Sequence, residues 1–308
     1  MESYNQVFIL GSPRSGTTFL ASLLTNTRYG APPETHFITK YLKNINGYGD
    51  LSNPANFKKL LKHILSERPV QQWKLDFDLQ DFHTEVAPDF SYENIVNCLM
   101  RKRNDGQNNS NYWGDKTPSY LSELTLLQSL FPNAKYLYIF RDGRDVALSL
   151  LKKPWGPHNI HECANYWDRQ NSQQNLLKKL ESEGSLLAIK YEELLILPNA
   201  VISKIYNFLE EEISDMEIKE LETHANKNNS YKWKKTMTAR QLRVFEAVAG
   251  KTLKNLGYQV QCESAKIPFY ELLFYTFHQK LARIIFLLKT NLIDGFKIKY
   301  LGKDPFNE

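Results

Sequence analysis

The sequence predicts an α/β fold built on a central parallel sheet flanked by helices, with a helical insertion and a C-terminal helical extension. Three observations predict it. Val7–Leu10, Tyr136–Phe140 and Leu186–Ile189 are short, unbroken apolar runs. Unbroken runs of this length mark strands buried on both faces, the usual state of parallel strands. Each run is followed by a polar turn and then by helical periodicity, the rhythm of successive βα units.

The elements follow in order. The first run leads into a glycine-containing loop, Gly11–Thr18, and then a helix starting near Phe19. Residues 40–112 separate the first and second runs and are too long for a simple crossover. Such an insertion ordinarily covers the ligand crevice of an α/β sheet. Within it Pro54 opens a helix, and the polar stretch 104–111 reads as an exposed loop. Thr117 with Pro118 predicts a capped helix carrying Leu121, Leu124, Leu127 and Leu130, stopped by Phe131-Pro132-Asn133. Asn159–Glu183 is expected to contain one long helix with Leu176, Leu177 and Leu180 on its apolar side. Glu210-Glu211-Glu212 reads as a solvated face. Thr238 with Gln241 has the spacing of a capping box, and Gly257 that of a glycine just past a helix end. From Phe269 onward the chain is aromatic, basic and helical in period. The predicted division is one domain over 1–262 and the extension over 263–308.

Composition narrows the class. Of 308 residues, 42% are apolar and 24% charged, which excludes a disordered chain, a collagen-like repeat and a coiled coil. With 39 Lys and Arg against 34 Asp and Glu, the net charge is 39 − 34 = +5. That mild excess suits one bound anion better than a nucleic-acid track, so no nucleic-acid partner is expected. Cys98, Cys163 and Cys262 are scattered and read as reduced thiols. The spacing of His158, His161 and Cys163 matches no zinc pattern. The N-terminus has no secretory signal and no run of 18 apolar residues occurs, so the expectation is a soluble, cytoplasmic protein. Membrane or dimer contact is expected only through the C-terminal helix. There Lys280, Arg283 and Lys289 accompany Phe269, Leu272, Leu273, Tyr275, Leu281, Ile284, Ile285, Leu287 and Leu288, a pattern that a helix packed on its own domain or on a second subunit also explains.

Two stretches carry chemistry. Gly11-Ser12-Pro13-Arg14-Ser15-Gly16-Thr17-Thr18 is P-loop-like in its spacing and lies between a strand and a helix. Backbone N–H groups in such a loop converge on a phosphate, and the helix start adds a favourable dipole. A nucleoside triphosphatase would carry Lys where Thr17 stands, and no strand ends in a convincing Mg²⁺-binding Asp. The loop therefore reads as a grip for a 5′-phosphate, with no metal expected. A second anion site follows the Tyr136–Phe140 run. Arg141 stands at its end, Ser149 about two helical turns on, and Lys153 one turn further. A salt-bridged surface turn would also account for Arg141, Asp142, Arg144 and Asp145. Two separate phosphate grips point to a nucleotide phosphorylated on both its 5′ and 3′ sides.

These residues resemble the sulfotransferases that use 3′-phosphoadenosine-5′-phosphosulfate (PAPS), above all the tyrosylprotein sulfotransferases and their bacterial relatives. Gly11–Thr18 is similar to their 5′-phosphosulfate loop and Arg141–Ser149 to their 3′-phosphate motif. Pro32-Pro33-Glu34-Thr35, Gly114-Asp115-Lys116-Thr117-Pro118, Phe131-Pro132-Asn133-Ala134-Lys135, Tyr191-Glu192-Glu193-Leu194, Lys232-Trp233 and Leu256-Gly257-Tyr258 also resemble family segments, in register over about residues 5 to 260.

The resemblance implies an enzyme that moves a sulfuryl group from PAPS to an acceptor hydroxyl and releases adenosine 3′,5′-bisphosphate (PAP). The acceptor would be a peptide tyrosine, a carbohydrate or a glycolipid. Glu34 would take the acceptor's proton, and Arg14 with Lys116 would stabilise the leaving phosphate. Ser12, Pro13, Arg14, Ser15, Gly16, Thr17 and Thr18 would hold the 5′ side, and Arg141, Ser149, Lys153 and Lys232 the 3′-phosphate. Tyr191 would line the nucleotide pocket. Two positions depart from the family. His36 stands where Arg follows the Glu-Thr pair and is a rival base, and Lys153 replaces an Arg, which keeps charge but loses the bidentate fork. Trp233 reads as core packing rather than a stacking platform. On the residues alone two other readings stay open. One is an ATP-dependent small-molecule kinase, against which Thr17 argues. The other is a non-catalytic nucleotide-binding sensor, against which the Glu34, Arg14 and Lys116 set argues.

Overall fold

Alternation along the strands decides what covers each face of the sheet. The computed structural model describes residues 4–104, 111–223, 230–263 and 265–290. Four parallel strands, β1 (Asn5–Leu10), β2 (Tyr112–Asp115), β3 (Lys135–Phe140) and β4 (Leu186–Lys190), lie in the order β2-β1-β3-β4. Phe8 pairs in register with Asp115 and Tyr136, and Tyr138 with Ala188. Phe8, Leu10, Tyr136, Tyr138 and Leu186 pack on one side, against the helices between β1 and β2. Val7, Ile9, Leu137, Ile139, Leu187 and Ile189 pack on the other, against Leu20, Leu24, Leu194, Ile202 and Ile205. A strand's side chains alternate between faces, so a sheet covered on both sides must be apolar at every position. That is why these runs are unbroken.

The chain divides into two compact units, Met1–Phe140 with Gln173–Lys227, and Arg141–Ser172 with Asn228–Glu308. The first contains the sheet and the insertion. The insertion is helical over Phe37–Leu42, Pro54–Leu65, Arg68–Gln71, Leu79–Val86 and Tyr92–Asn104. Asn53 caps the second of these by accepting the Ala55 N–H. In the second unit Ile160–Gln170 packs against Ala239–Asn255, with Trp167 5.9 Å from Phe245 between ring centres. Thr238 and Gln241 complete the expected capping box, and Gly257 takes φ +77° as a helix-ending glycine does. The Phe269–Leu288 helix belongs to this unit as well.

The structure corrects several expectations. Strand β2 went unread because Tyr112-Trp113-Gly114-Asp115 is short and ends in a charge. Thr117–Leu130 is not one helix but a 3₁₀ turn over Pro118–Glu123 followed by Leu124–Leu130, and Thr117 makes no capping bond. Its hydroxyl is used elsewhere, as described below. The single helix expected within Asn159–Glu183 is two, Ile160–Gln170 and Gln174–Ser182, broken where the Asn171 side chain turns back onto the Trp167 carbonyl at 2.7 Å. The solvated face expected at Glu210-Glu211-Glu212 is found at Glu210 and Glu212, which are exposed, with Glu210 paired to Lys135 at 2.8 Å; only Glu211 is drawn in, paired to Arg28 at 2.7 Å. The expected exposed loop falls on residues 105–110, and part of the C-terminal extension on 291–308; both lie outside the described residues.

Packing in the second unit leaves no room for a side chain at Gly143, where an added Cβ would lie 2.5 Å from the Trp167 ring. Gly143→Ala is expected to lower stability by about 1–3 kcal/mol, read from urea unfolding. An unchanged midpoint would show that Trp167 has room to move.

Candidate active site

Parallel strands direct their loops to one edge, and the residues leaving β1, β2 and β4 gather there. The loop after β1 is built for close backbone approach. At Gly11 a Cβ would lie 2.7 Å from the Ile139 carbonyl oxygen, and at Gly16 (φ +98°) 2.5 Å from the Tyr191 ring. Only glycine fits either place. The Ser15 N–H donates to the Ser12 carbonyl at 3.1 Å, and their hydroxyls meet at 2.7 Å. Arg14 stands at the exposed tip with φ +72°. The Thr17–Ser22 helix begins directly after Gly16, two residues earlier than expected. Tyr191 is buried beneath Gly16 and supports the loop from below.

The loop that precedes the Phe37–Leu42 helix brings Glu34 to the end of β2. Asp115, the last residue of β2, is wholly buried, and its carboxylate accepts the Thr35 N–H at 3.1 Å and the Thr117 N–H at 2.8 Å. The Thr117 hydroxyl accepts the Thr35 and His36 N–H groups at 3.0 and 3.3 Å. Thr35 Oγ1 meets the Tyr120 hydroxyl at 2.9 Å, and Lys116 N–H donates to the Pro33 carbonyl at 2.7 Å. This mesh fixes Glu34, Lys116 and His36 together. The Lys116 ammonium donates to Glu34 Oε1, and His36 Nε2 lies 3.2 Å from Glu34 Oε2.

Electrostatics follows from that geometry. The His36 hydrogen bond, with Lys116 beside it, holds the Glu34 carboxyl down at about 2. Its stabilising pairs are thus present above the ordinary carboxyl value and are lost only as pH falls toward 2. Glu34 in turn raises the His36 imidazole above its ordinary value. Burial pushes Asp115 up to about 6 against an ordinary 3.8, so this group favours folding increasingly as pH falls between those values.

The second unit holds the residues after β3 around a buried charge cluster. Arg144 grips Asp142 through Nε at 2.9 Å and Nη2 at 2.8 Å, and donates to Glu246 at 2.7 Å and to the Gln259 carbonyl at 3.0 Å. Its guanidinium lies 3.7 Å over the Trp233 ring. Trp233 donates its indole N–H to Asp142 at 2.9 Å and its backbone N–H to Asp145 at 2.8 Å. Asp145 also faces Arg141 at 3.6 Å, and burial raises its carboxyl. Arg141 and the 230–233 turn bearing exposed Lys232 are thereby tied to one carboxylate. Asp142, Arg144 and Asp145 are nearly solvent-free, which removes the reading as a surface turn. Trp233 is core, as expected.

The expected residues therefore form three local groups: Ser12, Ser15, Gly16, Thr17 and Tyr191 around the loop, Glu34 with Lys116 and His36, and Arg141 with the Lys232 turn. Ser149 lies in the Gly143–Leu150 helix, but Lys153 does not continue it. The helix ends at Leu150 because Pro154 biases its predecessor away from helical backbone. Among the described residues five non-glycine residues adopt left-handed backbone, and three of them, Arg14, His36 and Tyr231, lie in or next to these groups. Strain kept at such places is typical of functional loops. Sequence reading missed the supports: Asp115, Thr117, Tyr120, Asp145 and Glu246. His161 pairs with Glu162 and stacks on Tyr275. A 470 Å³ cavity between Tyr4, Gln6, Asn97 and Asn133 opens at the opposite, N-terminal end of β1 and contains none of the candidate residues.

A model of the Sulfotransferase family matches residues 6–215, more than half of the chain. Protein-tyrosine sulfotransferase 1 of Danio rerio is 25% identical over 211 residues, 66% of this chain and 52% of its own. Protein-tyrosine sulfotransferase A of Caenorhabditis elegans is 30% identical over 223 residues, 68% of this chain and 52% of its own. The chain thus spans about half the length of these curated relatives. Among solved structures, the sulfotransferase domain of the Synechococcus PCC 7002 olefin synthase superposes with a TM-score of 0.54 at 18% identity, over 84% of this chain and 97% of that one. The sulfotransferase domain from the curacin biosynthetic pathway gives 0.52 at 20%, over 85% of this chain and 100% of that one. These two likenesses show a shared fold.

Thr117→Val keeps the shape of the mesh and removes the His36 N–H acceptor and one of the two acceptors of the Thr35 N–H. It is expected to cost about 1–3 kcal/mol by denaturant unfolding, while Thr117→Ser stays near wild type. Equal stability of the valine variant would mean that the hydroxyl does not hold the Glu34 loop.

Proposed function

The chain belongs to the sulfotransferase family, and on that premise we propose that it moves a sulfuryl group from PAPS to an acceptor hydroxyl, releasing PAP. The observation that carries the reading is the joint position of two features at one sheet edge. One is a loop whose two glycines admit close approach; the other is a carboxylate paired with a buried lysine. The names of the curated relatives favour a peptide tyrosine as acceptor. The helical insertion after Glu34 is the proposed source of acceptor specificity.

In this reading the Ser12–Thr18 loop holds the 5′-phosphosulfate. Arg141, Ser149, Lys153 and Lys232 serve the 3′-phosphate, and Tyr191 supports the nucleotide side of the loop. The acceptor oxygen attacks sulfur, the bond from sulfur to the bridging oxygen breaks, and the electron pair stays on the 5′-phosphate of PAP. Arg14 and Lys116 stabilise that charge. Glu34 receives the acceptor's proton. A carboxylate held near 2 is a weak base, and Lys116 is one reason for the low value. Drawing the Lys116 ammonium toward the bound phosphate would raise Glu34 when the donor is in place. His36 keeps its hold on the second oxygen until it loses its proton.

Two measurements test this. In calorimetry PAP is expected to bind roughly tenfold to a hundredfold more tightly than AMP, with the difference erased in Arg141→Ala. Stronger binding of ATP with Mg²⁺, indifferent to Arg141→Ala, would overturn the reading. The rate of transfer is expected to rise with pH through a midpoint above about 6.5, the ordinary histidine value, as His36 releases Glu34. That limb should vanish in His36→Gln. Its persistence there would assign the titration to Asp115 instead.

A further inference from the structure

The Phe269–Leu288 helix has an inner side that is already used and an outer side that is apolar. On the inner side Glu271 and Tyr275 are buried. Glu271 accepts Arg243 at 2.9 Å, Tyr275 stacks on His161 at 5.6 Å and 9°, and Gln279 accepts the His158 N–H at 2.8 Å. On the outer side ten large apolar side chains are exposed: Phe269, Tyr270, Leu273, Phe274, Phe277, Leu281, Ile284, Ile285, Leu287 and Leu288, each between 46% and 74%. At 100° per residue all ten fall within one arc of roughly 160°, opposite the buried pair.

The charges around this arc have one sign. Exposed Arg283 borders one edge and exposed Lys289 the other, while exposed Lys280 lies just inside the first edge, on a stem long enough to reach the polar side. Glu271 is the only acidic residue of the helix, and it is buried and paired. The segment from which His158 reaches Gln279 also carries exposed Lys152 and a Trp155 that is 55% exposed. We propose that this helix lies flat on an anionic lipid surface, with its aromatic and aliphatic arc in the acyl boundary and its lysines and arginine at the phosphates.

Width and charge decide between lipid and a second copy of the chain. Tyr270, Phe274, Phe277, Leu281, Ile284 and Leu288 follow the 4-3 spacing of a two-helix seam. Such a seam would leave Phe269, Leu273, Ile285 and Leu287 in water, in flanking positions that normally carry pairs of opposite charge. Two copies would also set cationic rims against each other, whereas a bilayer surface covers the whole arc and neutralises the rim. No helix among the described residues is long and apolar enough to cross a membrane, so contact is in the plane.

The test is flotation of the full chain with phosphatidylcholine vesicles, alone or containing one third phosphatidylglycerol, with sedimentation of the lipid-free protein in parallel. The expected result is at least about tenfold stronger association with the anionic vesicles, weakened by salt. Phe277→Asp with Ile284→Asp should abolish it, and Lys280→Glu with Arg283→Glu should remove the preference for anionic lipid. Circular dichroism of both variants checks that they fold. A protein that stays with the buffer would overturn the proposal, as would a dimer that the aspartate pair dissociates; the latter would give the face to a second copy.

Discussion

A carboxylate with no access to water organises the candidate active site. Asp115 ends β2 inside the protein, and an unpartnered charge there would be costly. It is satisfied by two backbone N–H groups, one from its own strand end and one from the loop bearing Glu34. Because Thr35 must reach Asp115, Glu34 and His36 on either side of Thr35 have little freedom. Lys116, next to Asp115, then meets Glu34. The buried residue acts on position: it fixes where Glu34 and Lys116 meet.

The second unit uses the same device with a larger cluster. Arg144 is buried, and three kinds of partner compensate it: the Asp142 and Glu246 carboxylates, a backbone carbonyl and the face of Trp233. Buried charges of this kind add little net stability but are costly to break singly. What the cluster secures is position: the 230–233 turn is pinned at both the backbone and the indole of Trp233, so Lys232 leaves from a fixed point. In both units, exposed cations or carboxylates are carried by loops whose neighbours are buried and hydrogen-bonded.

Much of this was legible in the sequence because it depends on local chemistry. The three unbroken apolar runs identified β1, β3 and β4, and the glycines of Gly11–Thr18 marked a tight loop between a strand and a helix. The motifs also pointed to the family to which the chain belongs. What failed depended on partners distant in sequence. Thr117 has the look of a helix cap, yet its hydroxyl bonds a loop 81 and 82 residues away. On its own residues Arg141–Asp145 could not be told from a surface turn, because Glu246, a partner of buried Arg144, lies 102 residues away. The long helix expected in Asn159–Glu183 failed for a local reason, the Asn171 side chain, which propensity alone does not reveal.

The most direct test of the central claim is transfer itself. Sulfur-labelled PAPS would be incubated with the protein and tyrosine peptides, carbohydrates and glycolipids, with a metal chelator present throughout. The account predicts labelled product and equimolar PAP, with turnover reduced about a hundredfold or more in Glu34→Gln. Absence of product from every acceptor, with phosphoryl transfer from ATP once Mg²⁺ is restored, would contradict it.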